Sequence, residues 1–307
     1  MTLRSQVIAV LLNLLLNGFR LFPRRLLPAA ADLFAALAPW ILRRDQKLIA
    51  ANCQRVYQLP AHSRFAKEFQ KQVFRSQFVI LLETIQSTLA KKDPNTLEGI
   101  QQLSDIIKQL MEPGRGLIVV TGHLGCWEFV ARYTAEASGK TFYALAKPAK
   151  IAEFTRLMER FRARMNTIIL WTDRKNILRE MLKTLKSGAC LGFVMDQKPE
   201  GRIGPLVNFL GQATEFVSGP AKLAIRQGSP VLAIFCMRTG PQRYRLMYEV
   251  IAPADHGQGD ETLLTQKMAT AIETVIRLYP EQWLWNYKRW RPSQNTAWAE
   301  STLGSNV

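Results

Sequence analysis

The chain has 307 residues, with 41 lysines and arginines against 24 aspartates and glutamates and a formal net charge of +17. That length suits one large α/β catalytic unit with a helical N-terminal part, and four cysteines without C-x-x-C spacing exclude a disulfide framework and a zinc site and point to a reducing compartment. The charge requires an anionic partner; its spread along the chain, without zinc-finger spacing or an RNP-like aromatic strand, sets nucleic acid aside and favours an anionic lipid surface.

Leu3 to Phe22 is largely apolar between terminal arginines, and twenty helical residues reach about 30 Å, the thickness of a hydrocarbon core. Asn13 is costly at a bilayer centre, so a tilted span competes with a helix lying in the interface while Arg4 and Arg20 snorkel. Either way residues 1–46 are expected to anchor the protein, with the amphipathic stretch Leu26 to Leu42 adding to the membrane face. Arg24, Arg25, Arg43, Arg44 and Lys47 place the body of the protein on the cytoplasmic side. Ala29-Ala30-Ala31 resembles a signal-peptide cleavage site, but Arg20, Arg24 and Arg25 stand between it and the apolar run, an arrangement signal peptides avoid.

Residues 47–307 are expected to form the catalytic domain. Helical patterns dominate from Lys47 to Leu110, broken at Lys91-Lys92-Asp93-Pro94-Asn95, and make residues 47–112 a helical lead-in. Beyond it, in residues 113–307, strands and helices alternate. Strands are predicted over 117–121, 141–145, 167–170, 190–195, 230–238 and 244–251. Helices are predicted over 125–137, 151–164, 218–227 and 261–278, and from an Asp173 cap to Gly188. This alternation predicts an α/β fold, a mostly parallel mixed sheet flanked by helices.

Gly122-His123-Leu124-Gly125-Cys126-Trp127-Glu128 is the segment with most chemistry. Five positions along one helix rotate a side chain by about 140°, so His123 and Glu128 can meet only if His123 precedes the helix. The buried-type strand before it and the helix beginning near Gly125 supply that arrangement. Glu128 in the first turns can then point back at the imidazole, fixing its tautomer and leaving the other nitrogen to take a proton. Backbone N–H groups near Gly125 are expected to be unpaired and available to an oxyanion. Asp196 follows a buried-type strand, where open α/β sheets place ligand-binding residues, although a turn-capping acid before Pro199 and Gly201 reads equally well there. Arg156, Arg160, Arg162 and Arg164 share one predicted helix, mostly as a solvated face; Arg160 and Arg164, four apart, can hold a phosphate together. His62 and His256 lie in polar stretches without ligand partners and read as solvent-facing.

These segments resemble the bacterial lipid A biosynthesis late acyltransferases, within the H-x4-D/E glycerolipid acyltransferase group. Besides Gly122 to Glu128, the matching pieces are Arg162-Ala163-Arg164-Met165, Asp173-Arg174-Lys175, Leu185 to Gly188 and Asp196-Gln197 with Gly201. Val207 to Gly211, Ser218 to Ala224 and Pro280 to Trp285 complete the set. The resemblance implies transfer of a fatty acyl chain from an acyl carrier protein phosphopantetheine thioester, with no other cofactor, to a hydroxyl of a lipid A precursor at the cytoplasmic face of the inner membrane. It implies His123 and Glu128 as the catalytic pair, Arg164 as an arginine needed for activity and Asp196, with Gln197 beside it, as part of the same site. Two departures stand out. Cys126 occupies a position more often Asn, and Ala146-Lys147-Pro148 replaces an aromatic-Arg-Pro segment, which leaves open a different acceptor: another glycolipid, an aminolipid or a lysophospholipid.

Two rival readings have their own signatures. A thiol hydrolase using Cys126 with His123 would form a covalent acyl-enzyme. A basic membrane-surface or nucleic-acid binding protein would show salt-sensitive binding without turnover. In the C-terminal segment, Trp283, Trp285 and Trp290 with Lys288-Arg289-Trp290-Arg291 read either as an interfacial anchor and headgroup contact or, for the first two tryptophans, as core.

Overall fold

The computed structural model describes residues 3–60, 63–91, 93–111, 115–199, 204–252 and 259–290. His62, Gly201, His256 and Arg291 lie outside the described residues.

Five helices form the N-terminal part: α1 (Leu3–Leu21), α2 (Leu27–Ile41), α3 (Arg43–Tyr57), α4 (Arg64–Leu89) and α5 (Ile100–Leu110). α4 is the axis of this group. Ser63 caps it by accepting the Ala66 N–H at 3.1 Å, a contact that supplies one of the orphan donors of the first turn. α1, α2 and α3 all pack against it. Glu83 of α4 is 2% exposed and receives the Arg238 guanidinium at 2.9 and 3.0 Å and the Tyr244 hydroxyl at 2.6 Å. A buried carboxylate survives only with such partners, and here they tie α4 to the sheet.

The rest alternates: β1 (Thr96–Glu98), β2 (Leu117–Thr121), α6 (Trp127–Ser138), β3 (Phe142–Ala146), α7 (Ala152–Ala163), β4 (Thr167–Trp171), α8 (Ile177–Lys186) and β5 (Cys190–Val194). A hairpin follows, β6 (Leu206–Phe209) and β7 (Gln212–Glu215), then α9 (Gly219–Gln227), β8 (Val231–Gly240), β9 (Arg243–Ala252) and α10 (Glu261–Leu278). Seven strands form one sheet in the order β1-β9-β8-β2-β5-β3-β4, in which only β8 and β9 pair antiparallel. The expected mostly parallel sheet between helices is therefore the architecture found.

β2 sits at the centre and is buried on both faces. Ile118 and Val120 join the core beneath α9 and α10, whereas Leu117 and Val119 join the core beneath α5 and α6. That explains why the strand reads as a continuous apolar run without alternation. α8 starts three residues later than an Asp173 cap predicts, at Ile177 with Asn176 before it and no side-chain cap. β1 and the β6–β7 hairpin have no counterpart in the sequence reading; the hairpin turns at Leu210 and Gly211, both with positive φ (53° and 76°), as a tight two-residue connection requires.

No single helix among the described residues is long and apolar enough to cross a membrane; α2 and α3 meet the length and composition together only across a bend of 94°. α1 instead packs on α4 and α7, while Val10, Leu11, Leu14 and Leu15 stay exposed.

Candidate active site

β2 and β5 run side by side in parallel with Thr121 opposite Val194. His123 and Asp196 each lie two residues past that last pair, so the register alone brings them together at the carboxyl ends of the strands, where open α/β sheets bind their ligands. The His123 ring Nδ1 is 2.7 Å from Asp196 Oδ1 and the His123 backbone N–H donates to Oδ2 at 2.9 Å. Trp283 Nε1 donates to the same Oδ2 at 2.8 Å. Asp196 is 3% exposed. Burial works against its charge, but the His123 charge and the three hydrogen bonds outweigh burial and hold its pKa below the ordinary carboxylate value. An ionised Asp196 accepts, so Nδ1 carries the proton and Nε2 is left as the acceptor.

For His123 the same balance runs the other way. Desolvation disfavours the imidazolium, yet the Asp196 charge and hydrogen bond, with a smaller contribution from Glu128, raise its pKa above the ordinary 6.5. Its ring also packs edge-on against Trp127, with centroids 5.2 Å apart.

The expected contact between Glu128 and the imidazole is absent: Asp196 fills that role. Glu128 takes a bidentate ion pair from Arg162, at 2.9 Å from Nε and 2.6 Å from Nη2. The pair is largely shielded, with side-chain exposures of 20% for Arg162 and 15% for Glu128, and Glu128 outweighs burial to raise the Arg162 pKa. Arg162, first residue of the Arg162-Ala163-Arg164 motif, is thus the arginine that the structure pairs with Glu128. Arg164, the residue expected there, is exposed and faces a separate cleft with Arg160. Gln197 is half-buried beside Asp196 and is not among the residues lining the cavity described below.

The C-terminal segment straps the turn in place. Leu124 bridges to Trp283, the Gly125 N–H donates to the Gln282 carbonyl at 3.0 Å and the Leu284 N–H to the His123 carbonyl at 3.0 Å. Gly125 has φ +56°, and a Cβ there would collide with the Cys236 carbonyl; only glycine meets both demands. Of the N–H groups near Gly125 expected to be free, its own is occupied, as is that of Cys126, which donates to the Cys236 carbonyl at 2.8 Å. The open donors are those of the next two residues. The N–H groups of Trp127 and Glu128, first residues of α6, have no hydrogen-bond partner among the described residues, as is usual for the start of a helix. Trp283 and Trp285 are core. Arg289 is not a headgroup contact but fully buried, donating to Thr214 Oγ1 at 3.0 Å and the Glu215 carbonyl at 2.9 Å, and burial lowers its pKa to about 10.

His123, Cys126, Trp127 and Glu128 stand at one side of an apolar cavity of about 490 Å³. α1 supplies one wall with Leu12, Leu15, Leu16 and Phe19, and α4 and α7 supply the others, among them Ile80 and Phe161. The Cys126 thiol is 1% exposed, lies 3.0 Å from Thr84 Oγ1, and is pushed far above the ordinary thiol pKa by burial. It is not poised as a nucleophile.

Fold and site together define an α/β protein with a carboxylate-held histidine at the side of an apolar cavity. The chain belongs to the bacterial lipid A biosynthesis acyltransferase family, whose model matches residues 2–292. It is similar to the phosphatidylinositol mannoside acyltransferase of Mycolicibacterium smegmatis, 27% identical over 191 residues that cover 61% of this chain and 60% of the relative. The enzyme of the same name from Mycobacterium tuberculosis is 24% identical over 207 residues, 66% of this chain and 62% of the relative. The chain thus spans about three fifths of the length of these curated relatives.

Proposed function

We propose that the protein is a membrane-associated O-acyltransferase that moves a fatty acyl chain from an acyl carrier protein thioester to a hydroxyl of a lipid A precursor or related glycolipid. The observation that carries this reading is His123, oriented by Asp196 and opening on an apolar cavity walled by three helices. Family membership supports the reaction class. The phosphatidylinositol mannoside relatives favour a sugar-bearing acceptor as the second choice.

In this mechanism the acyl chain occupies the cavity. Nε2 of His123 removes the proton from the acceptor hydroxyl as the oxygen attacks the thioester carbonyl. Asp196, a positioning residue, stabilises the imidazolium so formed. Charge on the carbonyl oxygen is met by the free N–H groups of Trp127 and Glu128 at the positive end of α6. Collapse expels the thiolate, which takes the proton back from the imidazolium, and no acyl-enzyme forms. The Glu128–Arg162 pair fixes the start of α6, and its two charges act on His123 in opposite directions, Glu128 favouring the imidazolium and Arg162 opposing it.

The exposed apolar residues of α1, with Leu33, Leu37, Trp40 and Ile41 of α2, support an interfacial seat on the cytoplasmic face of the inner membrane, their neighbouring arginines meeting lipid phosphates.

The test is incubation of wild type and His123→Ala with a labelled acyl carrier protein thioester and a lipid A precursor, read by mass spectrometry. Acylated lipid from the wild type alone is expected. Label retained on the protein, or equal product from both, overturns the mechanism; no product with any member of a glycolipid, aminolipid and lysophospholipid panel overturns the function.

A further inference from the structure

Beside the apolar cavity, and sharing its walls at Leu16, Leu157 and Phe161, lies a second cleft of about 220 Å³. Its polar residues are Arg20, Asn13 and Asn17 from α1 and Arg160 and Arg164 from the end of α7. None of its lining residues is a carboxylate, and the guanidiniums of Arg20, Arg160 and Arg164 have no ion pair or hydrogen bond among the described residues. Elsewhere the arginines that border this site are engaged: Arg162, between Arg160 and Arg164 in sequence, holds Glu128, and Arg156 pairs with Glu153 at 3.0 Å.

Part of this positive charge answers the helices themselves. α1 ends at Leu21 with Arg20 in its last turn, and α7 ends at Ala163 with Arg160 in its last turn and Arg164 at its cap. Two helix C-termini bring about half a negative charge each, which leaves three guanidiniums with roughly two charges in excess. An excess of that size, concave and flanked by side-chain amides, matches a phosphate group, which carries about −1.5 to −2 as a monoester at pH 7. Guanidiniums are the cations best shaped for its oxygens.

We infer that this cleft seats a phosphate on the headgroup of the acceptor lipid, with the lipid's apolar part against the shared wall of Leu16, Leu157 and Phe161. The inference rests on the acyl-transfer reading for the identity of the lipid, but the site itself is testable without turnover. The assignment gives Arg20 a part that neither its place in an apolar N-terminal helix nor its sequence neighbours suggest. It also separates the arginines of one short run by duty, Arg162 inward to Glu128, Arg160 and Arg164 outward to the headgroup.

The experiment is equilibrium binding of decyl phosphate and of decyl glucoside to the full-length protein, to Arg160→Gln/Arg164→Gln and to Arg20→Gln, followed by native mass spectrometry. All three arginines are exposed, so these variants keep the fold. Wild type is expected to prefer the phosphate by at least about tenfold, and the double variant to lose that preference while binding the glucoside as before, with Arg20→Gln between them. A third arm uses 4′-phosphopantetheine, the other phosphate the reaction supplies, which is expected to bind wild type and double variant alike. No preference in the wild type, or a preference that survives the substitutions, overturns the site. Arginine-dependent binding of phosphopantetheine without preference for decyl phosphate assigns the cleft to the donor and overturns the acceptor reading. If the preference holds while no lipid is acylated, the cleft stands and the acyl-transfer function falls.

Discussion

Asp196 accepts from both the backbone N–H and the ring Nδ1 of His123, at 2.9 and 2.7 Å. One carboxylate thereby fixes the position of the main chain and the tautomer of the side chain together. Loss of His123 removes the proton acceptor, so His123→Ala is expected to lower kcat by about 10²–10⁴-fold, with a stability loss of about 1–3 kcal/mol because buried Asp196 keeps only its main-chain and Trp283 donors. Steady-state kinetics beside a melting curve check this; retained turnover removes the general-base assignment.

The proposed acyl transfer needs neutral His123. Because Asp196 holds its pKa above 6.5, kcat/KM is expected to rise with pH through a midpoint above that value. In Asp196→Asn the burial of the ring is no longer opposed by the charge, and the midpoint moves down while the rate falls. The stability contribution has the opposite direction. A raised folded-state pKa means the charged pair adds stability in full below the unfolded value of about 6.5, and loses it as pH rises through the folded value. A midpoint that stays in place in Asp196→Asn would count against the coupling.

Breaking the ion pair between Glu128 and Arg162 from one side strands a largely shielded charge. Glu128→Gln or Arg162→Met alone is expected to cost about 1–3 kcal/mol, less than for a fully buried pair because both groups retain some exposure. The double variant should recover part of the loss. Strict additivity in a double-mutant cycle by urea denaturation would show that the two groups do not act as a pair.

Glu83 is the anchor of α4 on the sheet. Glu83→Ala leaves Arg238 and the Tyr244 hydroxyl without their acceptor, and a loss of about 3–5 kcal/mol is expected. Denaturation midpoints give the value, and a loss below about 1 kcal/mol would contradict the role given to this contact.

Cys126→Ala should stay active, since the thiol is buried and protonated. Loss of all turnover in a folded Cys126→Ala protein, or inactivation by alkylation at Cys126, would restore the thiol reading.

β2 and α10 could be read from the sequence to the residue, Leu117–Thr121 and Glu261–Leu278, because a doubly buried strand and an amphipathic helix with an Asp cap carry strong local signals. His123 on the strand-to-helix turn was legible for the same reason. Its partner was not. Glu128 is close in sequence, whereas Asp196 is 73 residues away, and only the in-register pairing of β2 with β5 makes it the neighbour. Local spacing likewise could not choose between Arg162 and Arg164, since the end of a helix decides which side chain turns inward. β1 is three residues long and borrows its order from β9, so no periodicity announces it.

α1 supplies Leu12, Leu15, Leu16 and Phe19 to the cavity wall and contributes nothing to the sheet. The dimensions of the chamber and the chemistry at its side are therefore written in different parts of the chain. Substitution along one N-terminal helix can widen or shorten the apolar chamber, and on the proposed function the space for a hydrocarbon tail, while the strands that set His123 against Asp196 stay untouched. Substrate range is free to drift in such a protein without a search for a new catalyst.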